Sequence, residues 1–345
     1  LGGAGFNALL DERASQLGKT VAQLRVAIKP TFMRGYHRDD PTSVTDPDLV
    51  RGLCQRLRGA GVDDIAIVES AAIYDWYFQN RSVLEVAQYF GFDFEEARVV
   101  DVADELEVHQ YRRGMAQYEV ARSWRDADVR ITFGKLSTHP VDQVYLTISH
   151  LEGLSAHSDA FVFVDRQAHR GAATMTMISD FPPHFALLEG YDSAADGLLG
   201  ILACPRLPAA RRIYAGRDAI AVDIVAGRHM GEHNLIDSGH LQGAVQWFAD
   251  PSPHIVITGC DAELADWTRA CHDEVSATLS LLAHPVYMLL SGRGSLFVPD
   301  MDEVAFPPLE PPSFGLRVAR RSLRWLLGTR RPPPRSRGAV RPALP

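Results

Sequence analysis

The feature that most constrains this chain is a strand, a helix and a second strand within residues 26–69. Val26-Ala27-Ile28 reads as a short strand ending at Lys29-Pro30. Thr45 or Asp46 can cap the helix that follows, with Pro47 in its first turn and Leu49, Val50, Leu53 and Leu57 on its apolar face. Gly59 and Gly61 close that helix, and Ile65-Ala66-Ile67-Val68 then runs to Glu69-Ser70. A unit of this kind pairs its strands in parallel and brings both strand ends to one edge. Lys29 and Glu69 are therefore expected to be neighbours. Residues 82–91 read as a further helix, Arg98-Val99-Val100 as a strand and 115–125 as a helix. Such alternation specifies an α/β fold, a mainly parallel sheet flanked by helices, here expected as two closely packed lobes with a cleft.

A second stretch, residues 128–153, supplies the candidate site. Val129-Arg130-Ile131-Thr132-Phe133 is β-branched and alternating, and Gly134 is expected to end it. Lys135, Thr138 and His139 then fall on the turn leaving the strand, and Pro140 disfavours helix before it. Ligands of open α/β sheets bind at such carboxyl ends. Lysine is scarce, with only Lys19, Lys29 and Lys135 among 35 basic residues. A lysine can lose its proton and act as base or nucleophile, whereas an arginine effectively cannot. We therefore read Lys29, Lys135 and His139 as catalytic candidates, and Thr31, Glu69, Thr138 and Asp218 as substrate-binding candidates. The alternative makes both lysines structural ion-pair partners of Glu69, Asp218 or Asp223, and makes Asp218 a helix cap.

Imidazole and carboxylate groups crowd the next segment. His139, His150, His157, Asp159, Asp165 and His169 lie within 31 residues. His139, His150, Asp165 and His169 are the candidate ligands of a divalent transition metal. The spacing matches no compact zinc motif, and solvated or capping histidines are the alternative.

Composition narrows the partners. A net charge of −8 argues against nucleic acid. That balance is uneven: residues 311–345 carry nine arginines and no acid, so the first 310 hold 26 basic and 43 acidic side chains. Cys54, Cys204, Cys260 and Cys271 are not in CxxC spacing, which excludes a local zinc ribbon or four-cysteine cluster and fits reduced, cytoplasmic thiols. No apolar run reaches membrane-spanning length, and no basic-then-apolar leader opens the chain. The opening LGGAGF leaves room for an upstream segment.

The expected division is an N-terminal arm or amphipathic helix over 1–24, an α/β core over 25–298 with a lobe boundary near 135–185, and a Pro/Arg-rich tail over 299–345. Within the core, Phe161 to Val164, Ala186 to Leu188 and Ile255 to Thr258 read as strands. Arg212 to Gly216 reads as a strand leading into a helix opened by Asp218, and 262–283 as a helix. Tyr74, Trp76, Tyr77 and Phe78 form an aromatic cluster that reads as a lid or as plain packing. Residues 314–327 read as a short basic amphipathic helix able to touch an anionic surface or partner protein.

Taken in order, these blocks resemble a known family. Lys29-Pro30, Asp46-Pro47 with Val50-Arg51, and Gly59-Ala60-Gly61 before Ile65 to Val68 form one set. Lys135 to His139, His150 to Gly153, Glu189-Gly190, and Asp218 to Asp223 with Met230-Gly231 form the rest. The chain resembles the bacterial and archaeal domain-of-unknown-function 362 family over about residues 25–260, and distantly the nickel-pincer lactate racemase group. The resemblance implies a cleft between α/β lobes, where lysine and histidine move a proton or hydride at a small acid. Three positions depart from the pattern. Thr31 replaces the asparagine expected after Lys-Pro, Ser149-His150 stands where Lys-Asn is expected, and the ferredoxin-type cysteines are absent. Neither an Fe–S cluster nor a nickel-pincer cofactor is therefore expected.

The resulting expectation is an enzyme of isomerase or oxidoreductase type, doing proton-transfer or redox chemistry on a small acidic substrate, with or without a metal. The alternative is a binding or scaffold protein that has lost its chemistry and works through the basic tail.

Overall fold

The computed structural model describes residues 5–71, 73–114, 117–139, 143–154, 170–191, 210–231, 239–264, 301–310, 314–315 and 317–318. Six strands form one sheet: β1 (Arg25–Pro30), β2 (Asp64–Glu69), β3 (Arg98–Asp101), β6 (Val129–Lys135), β9 (Phe185–Glu189) and β10 (Ile213–Gly216). Their order is β10-β9-β6-β1-β2-β3. All neighbours pair in parallel except β9 and β10, which are antiparallel. Two short hairpins stand apart, β4 (Leu106–Gln110) with β5 (Gln117–Ala121), and β7 (Ser137–His139) with β8 (Gln143–Tyr145).

The sheet is covered on both faces, which explains why its central strands read as continuous apolar runs. The pleat sends Val26, Ile28, Ile65, Ile67, Ile131 and Phe133 to one core. There they meet Phe6, Leu9 and Leu10 of α1 (Phe6–Leu17), Val50, Leu53 and Leu57 of α2 (Pro47–Gly59), and Val83 and Val86 of α3 (Val83–Phe90). Ala27, Ala66, Val68, Ala186 and Leu188 face the other core. That core receives Trp124 of α4 (Arg122–Arg125), Met175 and Met177 of α5 (Arg170–Asp180), Val222 and Ile224 of α6 (Ala219–His229), and Leu241 of α7 (Gly239–Phe248).

Local signals set these elements. Asp46 caps α2 by accepting from the Asp48 amide, with Pro47 in the first turn. Ser82 and Glu85 form a capping box on α3. The expected arm is an integral helix: α1 buries Phe6, Leu9, Leu10 and Ala14. Beyond it, Lys19 pairs with Asp128 at 2.7 Å, at the start of β6.

Several expectations are corrected. Residues 115–125 are not one helix, because Gln117–Ala121 pairs with Leu106–Gln110 and only Arg122–Arg125 is helical. Gly134 does not end its strand, which continues through Lys135. Ile255 to Thr258 is not a strand: among the described residues no neighbour pairs with it, and Val256 is exposed. β9 and β10 extend the sheet that β1 begins. The strand expected at 161–164 and most of the helices expected at 262–283 and 314–327 lie outside the described residues. Among the described residues, no helix is long and apolar enough to cross a membrane.

This topology fixes where chemistry can sit. From β1 the chain steps to β2 and β3 on one side and returns to β6 on the other. The carboxyl ends of β1 and β6 thus flank the topological switch point, where doubly wound sheets bind ligands.

Candidate active site

Four charged side chains are buried at that edge. Lys29, the fifth residue of β1, meets Glu69 at the end of β2, with Nζ 2.5 Å from Oε1. Lys135, the last residue of β6, meets Glu189 at the end of β9, again at 2.5 Å. All four are at most 4% exposed. Each carboxylate is also satisfied by backbone: Glu69 accepts from the Ser70 and Phe32 amides, and Glu189 from the Tyr191 amide. With Lys19 paired to Asp128, every lysine of the chain has a carboxylate partner.

The two lysines end neighbouring strands, and each reaches the carboxylate that ends the next strand outward. The imidazole that joins the two strand ends is His150. Its Nε2 lies 2.9 Å from the Lys135 carbonyl and its Nδ1 3.0 Å from Thr31 Oγ1. A carbonyl only accepts, so Nε2 carries the hydrogen and Nδ1 accepts from the threonine hydroxyl. Burial, and next to it the charge of Arg34, holds the ring well below the usual histidine range, hence neutral.

His150 also explains Gly134. A Cβ there would stand 2.3 Å from His150 Cδ2. Gly134→Ala is expected to displace the ring and cost about 1–3 kcal/mol, the usual price of overpacking a core. Urea unfolding measures this, and a loss below about 0.5 kcal/mol would mean that the ring moves aside freely.

His150 belongs to a 3-10 turn, Ser149–Leu154, that lies over the strand ends. A Cβ on Gly153 of this turn would reach 2.3 Å from Ser70 Oγ, beside Glu69. Three further groups fasten the turn. Asp223 of α6 accepts from the Thr147 amide, the Thr147 hydroxyl and the Ile148 amide at 2.9, 2.6 and 2.9 Å. Glu152 is bonded to His240 Nε2 of α7 and accepts from the Tyr145 hydroxyl at 3.2 Å. The Tyr145 ring stands edge-on to His150, with centroids 4.7 Å apart, and Arg34 lies 4.3 Å over the Tyr145 ring.

The sequence candidates are sorted by this geometry. Lys29, Glu69, Lys135 and Thr31 come to one edge, and Thr138 is buried on β7, in register with Val144. His139 is in register with Gln143 on the same hairpin; its side chain lies outside the described residues, as do Asp165 and His169. Asp218 is corrected: β10 runs antiparallel, so Asp218 falls at the opposite edge of the sheet, where it caps α6 through the Ile220 and Ala221 amides. Of the expected metal ligands, only His150 has a described side chain, and both its ring nitrogens are hydrogen-bonded within the protein. That arrangement does not fit metal ligation. Among the described residues, no three His, Cys, Asp or Glu side chains are grouped to hold a metal ion.

Sequence reasoning missed Glu189 as the partner of Lys135, although it ends its strand as Glu69 does. It also missed Arg34, Tyr145, Glu152 and His240.

Comparison with known proteins completes the description. One similar solved structure is the lactate racemase apoprotein from Thermoanaerobacterium thermosaccharolyticum, at 12% identity and a TM-score of 0.41. The alignment covers 65% of this chain and 51% of that one, so the chain spans about half the length of the racemase it matches. No curated protein matches. Residues 26–228, from the first strand through α6, match the family described as Domain of unknown function (DUF362), and the chain belongs to that family.

Proposed function

We propose that this protein is a small-molecule enzyme that takes a small acidic substrate over the ends of β1 and β6 and moves a proton there. The observation that carries the reading is the concentration of buried ionisable pairs at the switch point: Lys29–Glu69, Lys135–Glu189 and His240–Glu152. Buried ion pairs are poor stabilisers, because apolar residues of similar volume do as well or better. Their presence where this fold class binds ligands favours a chemical use. Each pair sets a proton donor against a carboxylate, so each can pass a proton as a substrate approaches. In this reading the lysines draw in the acid and hold their glutamates in place. His150 fixes the strand ends, and Glu152 with His240 exchanges the proton.

Solvent exchange tests this. In D2O with a panel of 2-hydroxy and 2-amino acids, proton NMR is expected to show deuterium entering the α-carbon of at least one acid. Glu152→Gln is expected to slow that entry by about 10²-fold or more, the usual contribution of a general acid–base group. Equal exchange in the variant, or no exchange and no binding of any acid by the unaltered protein, would refute the reading.

A further inference from the structure

Resting on that reading, we propose that Arg34 receives the carboxylate of the substrate. Among the described residues, its guanidinium has no hydrogen bond and no carboxylate; its one partner is the Tyr145 ring, 4.3 Å away. The contrast with a nearby arginine is direct. Buried Arg81 spends its donors on Asp75, the Gly35 carbonyl and the Met33 carbonyl, at 2.7, 2.7 and 2.6 Å. Those two carbonyls flank Arg34. The chain is thus gripped on both sides of Arg34, while the side chain between them keeps all five N–H donors unspent.

The strand ends reinforce this placement. The Phe32 amide donates to Glu69, and the Thr31 amide donates to the Thr45 hydroxyl, which donates in turn to the Phe133 carbonyl. Arg34 therefore stands on a fixed segment at the switch point. Its charge is felt by His150, where it is the largest influence after burial. A guanidinium stacked on a ring leaves its N–H edges open, and those edges match a carboxylate bidentately. An acid held there lies beside Tyr145, whose hydroxyl is bonded to Glu152, the partner of His240. The ligand class is a small organic acid bound through one carboxylate, with its remaining atoms directed at that proton-sharing pair.

Calorimetric titration of the full chain with glycolate, succinate, neutral glycolamide and inorganic phosphate tests the assignment. The unaltered protein is expected to bind at least one of the two acids and to bind neither glycolamide nor phosphate comparably. Arg34→Gln is expected to weaken acid binding at least tenfold. Arg34→Lys, which keeps the stem and the charge, should weaken it less and guards against a folding defect in the first variant. If Arg34→Gln and Arg34→Lys bind the acids as tightly as the unaltered protein, the assignment falls while the proposed function stands. Equal binding of glycolamide or phosphate also overturns it. If the unaltered protein binds neither acid, the assignment falls, and the solvent-exchange panel decides the reading beneath it.

Discussion

Lys135→Met is expected to lower the stability of this protein by about 3–5 kcal/mol, the cost of leaving one member of a buried ion pair without its partner. The side chains of Lys135 and Glu189 are 3% and 0% exposed. Removing the ammonium strands a carboxylate that water cannot reach, and the Tyr191 amide alone cannot compensate it. Lys135→Met combined with Glu189→Gln is expected to recover most of the loss, because neutralising both members removes the desolvated charge. A double-mutant cycle from urea unfolding gives the coupling directly. A loss below about 1 kcal/mol for the single variant would show that the pair is as weak as a surface ion pair, and the buried edge described above would be wrong. From sequence alone, Lys135 reads either as a catalytic candidate or as a structural ion-pair partner of Glu69, Asp218 or Asp223; the structure pairs it with Glu189. That pairing makes Lys135 a residue whose variants must be checked for folding before any loss of turnover is read as chemistry.

The two lysine pairs show what the sequence could and could not reveal. Lys29–Glu69 was legible because one strand–helix–strand unit specifies parallel neighbours. Lys135–Glu189 spans 54 residues, and predicting it requires knowing that β6 lies beside β9. The same gap misplaced Asp218: a helix start after a strand resembles a ligand site until β10 proves antiparallel and carries it to the far edge. Gly134 read as a strand terminus because glycine commonly ends strands. Its reason is the His150 ring, 16 residues on and invisible to local pattern. Residues 117–121 read as helix because their antiparallel partner, not their own periodicity, makes them a strand. Arg34 is one of 32 arginines, and what sets it apart is its place over the Tyr145 ring beside His150, which sequence does not show. The fold was therefore readable wherever contacts are local, and the site was readable only in the half that one βαβ unit supplies.

Asp223 is expected to add a falling component to stability between about pH 4 and pH 7, opposed by the buried, neutral His150 and His184 and therefore read from the difference between the parent and Asp223→Asn. Burial raises its pKa from an ordinary 3.8 to about 7, and the bonds from Thr147 and Ile148, which favour the ionised form, offset only part of that rise. In the folded protein the group therefore keeps its proton between roughly pH 4 and 7, while in the unfolded chain it has lost it. Stability rises with pH only where the unfolded state holds more protons; at Asp223 the folded state holds more, so the contribution of this group declines. The contribution is complete below about pH 4 and gone above about pH 7, with a ceiling of roughly 4 kcal/mol at 1.36 kcal/mol per unit. Asp223→Asn cannot titrate. Its amide nitrogen would also face a backbone N–H in place of an acceptor, at a cost of about 1–3 kcal/mol. The variant is therefore expected to be less stable than the parent at pH 5, with the difference shrinking as pH rises to 8. Urea unfolding at four pH values measures both curves. Parallel curves would mean that Asp223 titrates alike in folded and unfolded chains, and that its seat is open to water. The consequence reaches the site, because Thr147 and Ile148 lead directly into the turn that carries His150 and Glu152. The bonds from Thr147 and Ile148 favour the ionised form, so the stability lost belongs to burying the charge and should appear as easier unfolding of the whole seat, with no selective rise in hydrogen exchange at residues 147–152.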